Sequence, residues 1–404
     1  MIKGHDIVCF APSDWWGMNP SCTTHIMQSL AQDNRVLYIN PFSSDLLGGR
    51  SKKGFARRLA RKFKSLCKWL RRPQENLYVF SPVFLPIQGK WPFDALNNAL
   101  LWLQLKMVCK TLGMSHPILW VENLRSADML DWFHPSLTVY HVSDLFSDCT
   151  YSSNRDILQR RERLITERSD VLICVSKELH QAKSAEARRV FYLPHGVDFE
   201  LFRAAAEGPQ PELPQLQGID GPIAGYFGTL TALNDIELID DCASRLPHVS
   251  FVLGGQVTGG DYEALARRPN VHLIGRVPYE QIPALCARFD VCLLNWKMSP
   301  WIRHCNPLKF FEYMASGKPI VSVPIAEIEA NYSDLVSIAA THEAFCEAIE
   351  RELQQDTPER AARRIAAADE HSWTRHGEKL SKIIADELAA CQGETPELSL
   401  ASER

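Results

Sequence analysis

The stretch NPLKFFEYMASGKPIVS, residues 306–322, contains one complete step from a helix to a strand. Asn306 suits the N-cap of a helix, Pro307 suits its first position, and Gly317 suits the left-handed residue that follows its last turn. We therefore predict a helix from about 307 to 316. The apolar run that follows, KPIVSVP, predicts a strand that is buried on both faces.

The same alternation of a short apolar run with a helical pattern extends over most of the chain. The predicted strands of the first half are DIVCFAP, RVLYIN, NLYVF, PILWV, LTVYHVSD, DVLICVS and RVFYLPHG, and those of the second half are PIAGYFG, VSFVLGG, NVHLIG, DVCLLNW and KPIVSVP. Continuous apolarity, rather than alternation, indicates parallel sheets that are covered by helices. We predict an α/β fold with two doubly wound, Rossmann-like domains.

Changes in composition suggest where the domains begin and end. Residues 202–221 are rich in Pro and Gly and predict a linker between a first domain, 1–201, and a second domain, 222–369. Residues 370–391 predict a long terminal helix, and the polar tail 392–404 is expected to be disordered. Ligands bind beyond the carboxyl ends of parallel strands, so we expect the site in the cleft between the domains.

The composition argues against several classes of protein. The chain has 404 residues, twelve cysteines and a formal net charge of −4. The cysteines are scattered without a C-x-x-C pair, which favours buried free thiols in a reducing cytoplasm over disulfides or a zinc site. The N-terminus enters a strand-like run at once, and no apolar run of about 18 residues occurs, so we expect neither a signal peptide nor a membrane span.

Two polar residues of the helix predicted at 307–316 suggest a ligand. Lys309 and Glu312 stand three residues apart on one side of this helix. The N–H groups of Leu308 and Lys309 at the helix start, together with the Lys309 charge, suit a diphosphate. Glu312 suits two hydroxyl groups of a ribose. A surface ion pair between Lys309 and Glu312 on an ordinary amphipathic helix explains the same pattern.

Several segments taken together distinguish these interpretations. The helix segment, GPIAGYFGTL at 221–230, NVHLIGRVPYEQIPALCARFDVCLLNW at 270–296, and SDVLICVSKELHQ with RVFYLPHGVDFELF in the first half resemble the GT-B glycosyltransferases of glycosyltransferase family 4, especially bacterial exopolysaccharide and capsule enzymes. The resemblance in order and spacing covers about 135–325. It implies two domains facing across a cleft, a nucleotide-sugar donor in the second, an acceptor in the first, and transfer with retention at the anomeric carbon.

The resemblance also assigns roles to residues of the helix. Glu312 matches the glutamate that holds the donor ribose, and Asn306 and Leu308 lie at the start of the same helix beside the donor. Lys309 agrees in position with exopolysaccharide members of the family. We expect Lys309 to act in catalysis, because it stabilises the negative charge that develops on the departing diphosphate.

Loops that match the family complete the expected donor site. Gly228 with Thr229 matches the glycine loop near the donor phosphates, and Gly275 with Arg276 and Val277 matches the loop along the base. Two features depart from the family. No Arg or Lys follows the glycine loop, so Lys309, Arg303 or Arg276 must meet the phosphate charge. His304 stands where the family often has the first glutamate of an E-x7-E pair, and we keep it among the catalytic candidates.

Acidic and basic side chains at strand ends supply candidates in the first domain. Asp144 ends LTVYHVSD, where it suits either an acceptor hydroxyl or the N-cap of the next helix. An inverting reaction needs Asp144 or Asp14 as the base, whereas the retaining front-face scheme proposed for the family needs no enzymic base. Glu122 and His195 also follow strands, and we interpret His195 as part of a turn. Without a D-x-D or H-x-x-x-H pair, we expect neither a metal nor another cofactor.

A basic segment interrupts the first domain. SKKGFARRLARKFKSLCKWLRRP, residues 51–73, holds ten Lys or Arg and no acid. Drawn as a helix, residues 55–72 place Phe and Leu on one side and cations on the other, which predicts contact with an anionic membrane surface through 52–72. The alternatives are an apolar stripe packed on the first domain with solvated cations, or a rarer calmodulin-like target. Nucleic acid is not expected, because no aromatic platform accompanies the charge.

These observations lead to one expected function and two alternatives. We expect a retaining hexosyltransferase, cytoplasmic and peripheral on the inner face of the cell membrane. It would transfer a sugar from a UDP- or GDP-linked donor to a lipid-linked or growing saccharide in surface polysaccharide biosynthesis. The alternatives are a GT-B sugar-nucleotide epimerase and a non-catalytic GT-B scaffold that has lost donor binding.

Overall fold

Two β-sheets with helices packed against them make up the chain. The computed structural model describes residues 1–17, 19–41, 69–85, 92–144, 155–209 and 212–391. The strands of the first sheet are β1 Asp6–Phe10, β2 Arg35–Ile39, β3 Leu70–Gln74, β4 Leu77–Phe80, β5 Ile118–Val121, β6 Leu137–Val142, β7 Val171–Cys174 and β8 Val190–Tyr192. Those of the second are β9 Ile223–Phe227, β10 Ser250–Gly254, β11 Val271–Gly275, β12 Val291–Leu294, β13 Ile320–Ser322 and β14 Ser337–Ile338.

Helices connect most of these strands. The α-helices are α1 Cys22–Leu30, α2 Phe93–Leu112, α3 Arg155–Arg168, α4 Lys177–Ser184, α5 Phe199–Glu207, α6 Ile236–Arg245, α7 Tyr262–Leu265, α8 Ile282–Ala287, α9 Pro300–His304, α10 Leu308–Ala315, α11 Ala326–Tyr332, α12 His342–Gln355, α13 Pro358–Asp369 and α14 Trp373–Cys391. Short 3-10 helices occur at Leu124–Trp132, Pro214–Leu216 and Tyr279–Gln281.

The strand order of each sheet creates a crevice for a ligand. The first sheet runs β3-β4-β2-β1-β5-β6-β7-β8 and the second runs β11-β10-β9-β12-β13-β14. Neighbouring strands are parallel, except that β3 is antiparallel to β4. The order reverses beside β1 and beside β9. In such sheets the loops separate at the point of reversal and leave an opening at the carboxyl ends of the strands.

The prediction of two doubly wound α/β domains is confirmed. Each of the twelve apolar runs contains a strand, and the central strands are buried and mostly apolar, as strands covered on both faces are expected to be. The short strands β3 and β14 were not predicted. Both are polar or only half-buried, so they lack the apolar signal of the central strands.

Strand β3 contradicts the end of the basic helix predicted at 55–72. Leu70 and Arg71 pair with Phe80 and Val79 of β4, so this part of the segment is extended. Pro73 disfavours a helical conformation at the residue before it, and the free edge of β4 offers hydrogen bonds to an extended chain. Residues 52–68 lie outside the described residues.

Residues 202–221 do not behave as a simple linker. The segment begins inside α5, and Phe202 is fully buried in the core of the second domain. Leu213 and Leu216 are buried in the same core. These apolar side chains attach the segment to the second domain, whereas the Pro and Gly content of the sequence indicated only a break between domains.

The terminal helix α14 packs against the first domain. Leu380, Ile384 and Leu388 lie in the core that α1 and the first sheet share. The backbone N–H of Ile2 donates to Ser381 Oγ at 2.7 Å. The chain therefore returns to its first domain after completing the second. The predicted tail, 392–404, lies outside the described residues.

The prediction of buried free cysteines is confirmed in the described ranges. Ten of the twelve cysteines fall in the described ranges, where all are free and nine are buried. Within the same ranges, no helix combines the length and the apolarity that crossing a bilayer requires.

Candidate active site

The carboxyl ends of the two sheets face each other. Ser176 and Val175 follow β7 of the first sheet, while His304 and Asn306 lie between β12 and β13 of the second. The Ser176 hydroxyl donates to the His304 carbonyl at 2.8 Å, and the Asn306 side-chain amide donates to the Val175 carbonyl at 2.7 Å. These contacts close one side of a cleft between the domains.

A second interdomain contact depends on a buried carboxylate. Glu327 of α11 accepts from the backbone N–H of Lys177 at 2.7 Å and from the hydroxyl of Tyr192. Lys177 is the first residue of α4, so a carboxylate from the second domain meets the positive end of a first-domain helix. Glu327 is 1% exposed. The two hydrogen bonds to Glu327 therefore hold the two domains together.

The start of helix α10 corrects the predicted role of Asn306. The helix begins at Leu308, and Pro307 occupies the cap position with an extended backbone. Asn306 does not cap the helix, because its amide group reaches the Val175 carbonyl in the other domain. The buried Oδ1 of Asn306 has no hydrogen-bond partner in the described part of the chain. The Leu308 side chain packs against the first-domain core.

Lys309 is held against two aromatic rings and a glycine. Its Nζ lies 4.7 Å from the centre of the Trp296 ring and 5.2 Å from that of Tyr226. A Cβ at Gly228 would lie 3.2 Å from Lys309 Cε. Cation–π attraction thus positions the ammonium over the glycine loop at the end of β9, where an anionic group would meet it.

Glu312 lies one turn deeper in the same helix. Burial raises its pKa to about 7; the charge of Lys309 opposes this shift and that of Asp198 adds to it. Burial, together with the charges of Glu312 and Asp198, also raises the pKa of Tyr279. Because Lys309 faces the aromatic rings, the alternative of a plain surface ion pair with Glu312 does not describe this helix.

Glycines join the ends of three strands below Lys309. The Gly228 N–H donates to the Gly254 carbonyl at 2.9 Å, and the Gly255 N–H donates to the Gly275 carbonyl at 2.7 Å. A Cβ at Gly255 would lie 1.7 Å from the Gly228 carbonyl oxygen. Gly228 itself has a φ of 140°, which only glycine adopts easily. Side chains do not fit at these positions, so the loop presents its backbone groups to the cleft.

Two of the other predicted donor contacts are accessible and one is not. Thr229 and Arg276 are exposed at the ends of β9 and β11. Val277 is 5% exposed and belongs to the core of the second domain. Its side chain is therefore not available to a ligand, and the prediction that the 275–277 loop lies along the base stays a prediction.

Asp144 faces the second domain from the first. It is half-buried, and its Oδ1 accepts a long hydrogen bond from Cys305 Sγ at 3.8 Å. Burial, helped by the charge of Glu122, raises the pKa of Asp144 to about 7. The residues that follow Asp144, 145–154, lie outside the described residues, so its alternative role as an N-cap stays a prediction.

Glu122 lies at the point of reversal of the first sheet. Its Oε2 accepts from Thr23 Oγ1 at 2.5 Å and lies 3.1 Å from His141 Nδ1. Burial acts to raise the pKa of Glu122, but His141 and neighbouring hydroxyl groups lower it overall. His195 contacts Cys22 Sγ at 3.1 Å, and burial lowers its pKa to about 3, so it is a neutral, packed side chain.

His304 ends the short helix α9 beside this cleft. Its Nδ1 contacts the Pro300 carbonyl at 2.6 Å within the same helix. The carbonyl can only accept, so Nδ1 carries a proton, and in the neutral ring Nε2 is then the acceptor. His304 therefore presents an acceptor nitrogen, where the family often has a carboxylate.

Sequence reasoning missed three side chains of this cluster. Trp296 and Tyr226 surround Lys309, and Asp198 adds its charge near Glu312. A signal was available for Trp296, which ends the run DVCLLNW at a strand end. Tyr226 lies inside a strand and carried no such signal, because its approach to Lys309 depends on the packing of α10.

Structural comparison finds the same fold in several solved structures. Sucrose-phosphate synthase from Thermosynechococcus elongatus superposes with a TM-score of 0.70 at 14% identity, over 96% of this chain and 100% of that one. Anabaena HepE, solved with UDP-glucose, gives 0.66 at 16% identity over 94% and 99%. A trehalose 6-phosphate synthase of Burkholderia multivorans gives 0.65 at 14% over 96% and 100%. The chain has the GT-B fold.

Sequence comparison agrees with the fold. Residues 236–380 match the family model described as glycosyl transferase-like. TuaH of Bacillus subtilis, named as a teichuronic acid biosynthesis glycosyltransferase, is 30% identical over 197 residues, which are 45% of this chain and 49% of that protein. The match thus spans about half the length of this relative. The predicted resemblance to GT-B glycosyltransferases is confirmed, and family 4 membership stays a prediction.

A cavity elsewhere in the GT-B chain does not compete with this cleft. It has a volume of about 650 Å³ and is lined by Pro222, Lys318 and Asp290, which precede strands of the second sheet. Parallel sheets bind their ligands at the opposite, carboxyl edge. We therefore place the site at Lys309 and Glu312 instead.

The described part of the cleft brings together charged side chains and backbone groups. Across the described ranges, no group of three or more His, Cys, Asp or Glu is arranged to hold a metal ion. The cleft offers a cation at Lys309, a backbone loop at Gly228, and two carboxyl groups, Glu312 and Asp144, whose pKa values are both about 7.

Proposed function

We propose that this chain transfers a sugar from a nucleotide-diphosphate sugar to a saccharide acceptor in surface polysaccharide synthesis. One observation carries the proposal. Lys309 is held over the Gly228 loop, at the reversal point of the second sheet, with Glu312 one turn away. Asp144 of the first domain approaches Lys309 and Glu312 from the other side of the cleft, where its carboxylate accepts a hydrogen bond from Cys305. The arrangement supports a donor on one side and an acceptor on the other.

The donor side stabilises a leaving group. The bond from the anomeric carbon to the diphosphate oxygen breaks, and the electron pair stays with the diphosphate. Lys309, the first N–H groups of α10 and the backbone of the Gly228 loop stabilise that charge without rearranging during the reaction. Glu312 accepts hydrogen bonds from the ribose hydroxyls, and Arg276 supports the phosphates or base from the end of β11.

The acceptor side must dispose of a proton. The acceptor oxygen bonds to the anomeric carbon, and its hydroxyl proton is released. In the retaining reaction that the family resemblance implies, the departing diphosphate takes this proton on the same face of the sugar. In an inverting reaction Asp144 takes it, and a pKa of about 7 makes Asp144 an effective base near neutral pH.

The finer assignments rest on several independent supports. A UDP- or GDP-linked donor is in keeping with Anabaena HepE, which was solved with UDP-glucose. An acceptor in polysaccharide assembly is in keeping with the name of TuaH. The ten cations of 51–73 support a lipid-linked acceptor at the cytosolic face of a membrane, since they attract anionic lipids.

Donor binding tests the proposal directly. Wild-type protein is titrated with UDP-, GDP-, ADP- and dTDP-sugars by calorimetry, beside Glu312→Gln and the control Glu329→Gln. Glu329 is exposed on α11, so its substitution leaves the cleft intact. One nucleotide series is expected to bind wild type and the control. Glu312→Gln is expected to weaken binding about 10-fold or more, because hydrogen bonds to a charged group are lost.

Three outcomes separate this function from its alternatives. Absence of binding by every nucleotide sugar supports the non-catalytic scaffold. Conversion of the sugar nucleotide to an epimer without any acceptor, followed by NMR, supports the epimerase. Release of nucleoside diphosphate that depends on a saccharide acceptor supports the transferase, and the NMR coupling constant of the new linkage reports retention or inversion.

A further inference from the structure

Helix α2 is apolar on two opposite faces. Its inner face places Leu101, Leu105 and Val108 in the first-domain core, each 3% exposed or less. Its outer face carries Leu96, Leu103 and Met107, which are 49–52% exposed. These three lie 7 and 4 residues apart, so they form one line along the helix. A surface helix normally exposes polar side chains on the face opposite the core, so an exposed apolar line is unusual there.

Helix α2 concentrates the exposed apolar side chains of the described chain. Ten large apolar residues are exposed in the described ranges, and four of them, Leu96, Trp102, Leu103 and Met107, lie on α2. Leu96, Leu103 and Met107 form the outer face, and Trp102 borders it about 120° away around the helix, beyond Lys106. Val83 is a fifth, held beside α2 by two hydrogen bonds to Gln104 at 2.9 and 2.7 Å. Single exposed apolar residues are ordinary, whereas a patch indicates a binding surface.

The charges beside this patch are positive. Lys106 lies with its Nζ 4.7 Å from the centre of the Trp102 ring, and Lys110 follows one turn later. Both lysines are exposed. The helix contains one acid, Asp94, near its amino end. Long basic side chains beside Trp and Leu are typical of helices that lie in a membrane interface.

The basic segment enters the described structure beside the same patch. Trp69 directly follows residues 51–68, which hold eight Lys or Arg and no acid. The Trp69 indole N–H donates to Gln104 of α2 at 3.4 Å. Arg72, three residues later, is exposed and lies over the Tyr78 ring at 5.7 Å. The chain that follows the basic segment therefore re-enters the described structure beside α2.

We propose that the outer face of α2 inserts into the interfacial layer of an anionic lipid bilayer. This inference rests on the proposed function, in which the acceptor is lipid-linked, and it identifies the element that contacts the lipid. The helix follows β4, so its amino end lies on the carboxyl edge of the first sheet, where the cleft opens. A bilayer against α2 thus brings membrane-bound acceptors to the Asp144 side.

Charge complementarity selects lipid over other occupants. The described cations beside the outer face, Lys106 and Lys110, favour an anionic partner over a cationic one. A second copy of the chain would present the same cations to one another. Anionic headgroups attract all of these cations, and acyl chains accept the Leu, Met and Trp side chains.

Vesicle flotation of the full-length protein tests this inference. Vesicles of phosphatidylcholine alone are compared with vesicles that also contain phosphatidylglycerol. The test variant is Leu96→Ser/Leu103→Ser/Met107→Ser, and the control is Ile157→Ser, which changes an apolar residue of α3 that is 50% exposed. We expect wild type and control to bind the anionic vesicles. The triple variant should lose about 10-fold or more in vesicle affinity.

A second measurement locates the helix in the lipid. Brominated acyl chains are expected to quench the fluorescence of Trp102. The contribution of Trp102 is the difference in quenching between wild type and Trp102→Phe. Equal flotation of the triple variant and wild type, no vesicle binding by wild type, or no quenching assigned to Trp102 overturns the inference. So does sedimentation that shows a lipid-free dimer of wild type that the triple variant abolishes, because a second copy then covers the face.

Donor binding separates this inference from the proposed function. Every variant is titrated with the nucleotide sugar in the absence of lipid, and all are expected to bind it as wild type does. Vesicle binding and quenching that persist in a protein without donor binding refute the transferase and leave the membrane surface standing. A triple variant that loses donor binding as well shows a damaged fold, and the Trp102 quenching of the wild type then decides the inference.

Discussion

The ammonium of Lys309 lies 4.7 Å from the centre of the Trp296 ring, and Tyr226 approaches it from a second side at 5.2 Å. A lysine side chain on a helix surface normally samples many conformations. The two rings restrict this one to the space above Gly228, so the charge is in place before a donor arrives.

Replacement of Lys309 is expected to impair catalysis more than folding. Lys309→Met should lower kcat/KM by about 10²–10³, since a preorganised charge is lost at the leaving group. Trp296→Leu should cost about fivefold, in line with a cation–π contact of about 1 kcal/mol. Nucleoside diphosphate release measures both. Lys297→Met is the control, because Lys297 is exposed beside Trp296 and its ammonium lies 3.9 Å from Glu237.

The two substitutions should not be additive. If Trp296 acts only by holding Lys309, the double variant loses no more activity than Lys309→Met alone. A double variant that loses the product of both effects contradicts this role for Trp296.

Donor affinity is expected to rise with pH through about 7. Burial raises the pKa of Glu312 to about 7, so the carboxylate that accepts from ribose is fully formed only above this value. Calorimetric titration at pH 6 and at pH 8 should show tighter binding at pH 8 for wild type and no change for Glu312→Gln. Asp198→Asn should move the midpoint to lower pH, because the Asp198 charge helps to raise the Glu312 pKa. A pH-independent wild type contradicts the prediction.

Asp144 is expected to make folding stability fall as pH rises. Its pKa is raised from 3.8 to about 7 in the folded state, so the folded protein holds a proton that the unfolded chain releases. Stability is therefore lost between these two values as pH increases. Asp144→Asn should have a higher Tm than wild type at pH 8, and the difference should vanish below about pH 4. Calorimetric scans across this range measure it, with the exposed Asp220→Asn as the control.

The same variant reports on the stereochemical course. An inverting reaction that uses Asp144 as its base should lose about 10²–10⁴ in kcat with Asp144→Asn. A retaining reaction should lose far less, because the diphosphate takes the proton. A higher Tm at pH 8 with retained activity would assign Asp144 to the acceptor site without a role as base.

Glu327 is expected to hold the domains together. Glu327→Ala removes a carboxylate that accepts from Lys177 N–H and the Tyr192 hydroxyl, and buried hydrogen bonds to a charge contribute about 1.5–3 kcal/mol each. Unfolding in urea should show a loss of about 3 kcal/mol, and X-ray scattering should show a larger radius of gyration. Glu329→Ala, on the same helix and exposed, should change neither. An unchanged radius with lower stability would show that Glu327 stabilises the chain without setting the domain spacing.

The sequence alone determined the alternation of strands and helices. Buried parallel strands need mostly apolar runs, so DVLICVS and IAGYF can be recognised as strands without knowing which strands they pair with. Gly317 and Pro307 likewise restrict local backbone conformation whatever surrounds them. The position of Lys309 and Glu312 on one helix followed from these local rules and the resemblance of the segment to known enzymes.

The sequence did not determine contacts between residues that are far apart in the chain. Asn306 looked like a helix cap, but it reaches Val175, 131 residues earlier. Val277 looked available to a base, but burial in the second core is more favourable for its apolar side chain. The 3.6-residue pattern at 55–72 predicted a helix through Leu70, but the open edge of β4 pairs with that residue instead.

Tertiary structure decided the environment of each candidate group. The pKa values near 7 of Glu312 and Asp144 arise from burial and from charges on other elements, which no local pattern encodes. The outer face of α2 shows the same division. Its apolar residues are visible in the sequence, but only the packed structure shows that one side faces the core and the other is exposed, because exposure depends on which elements cover a helix.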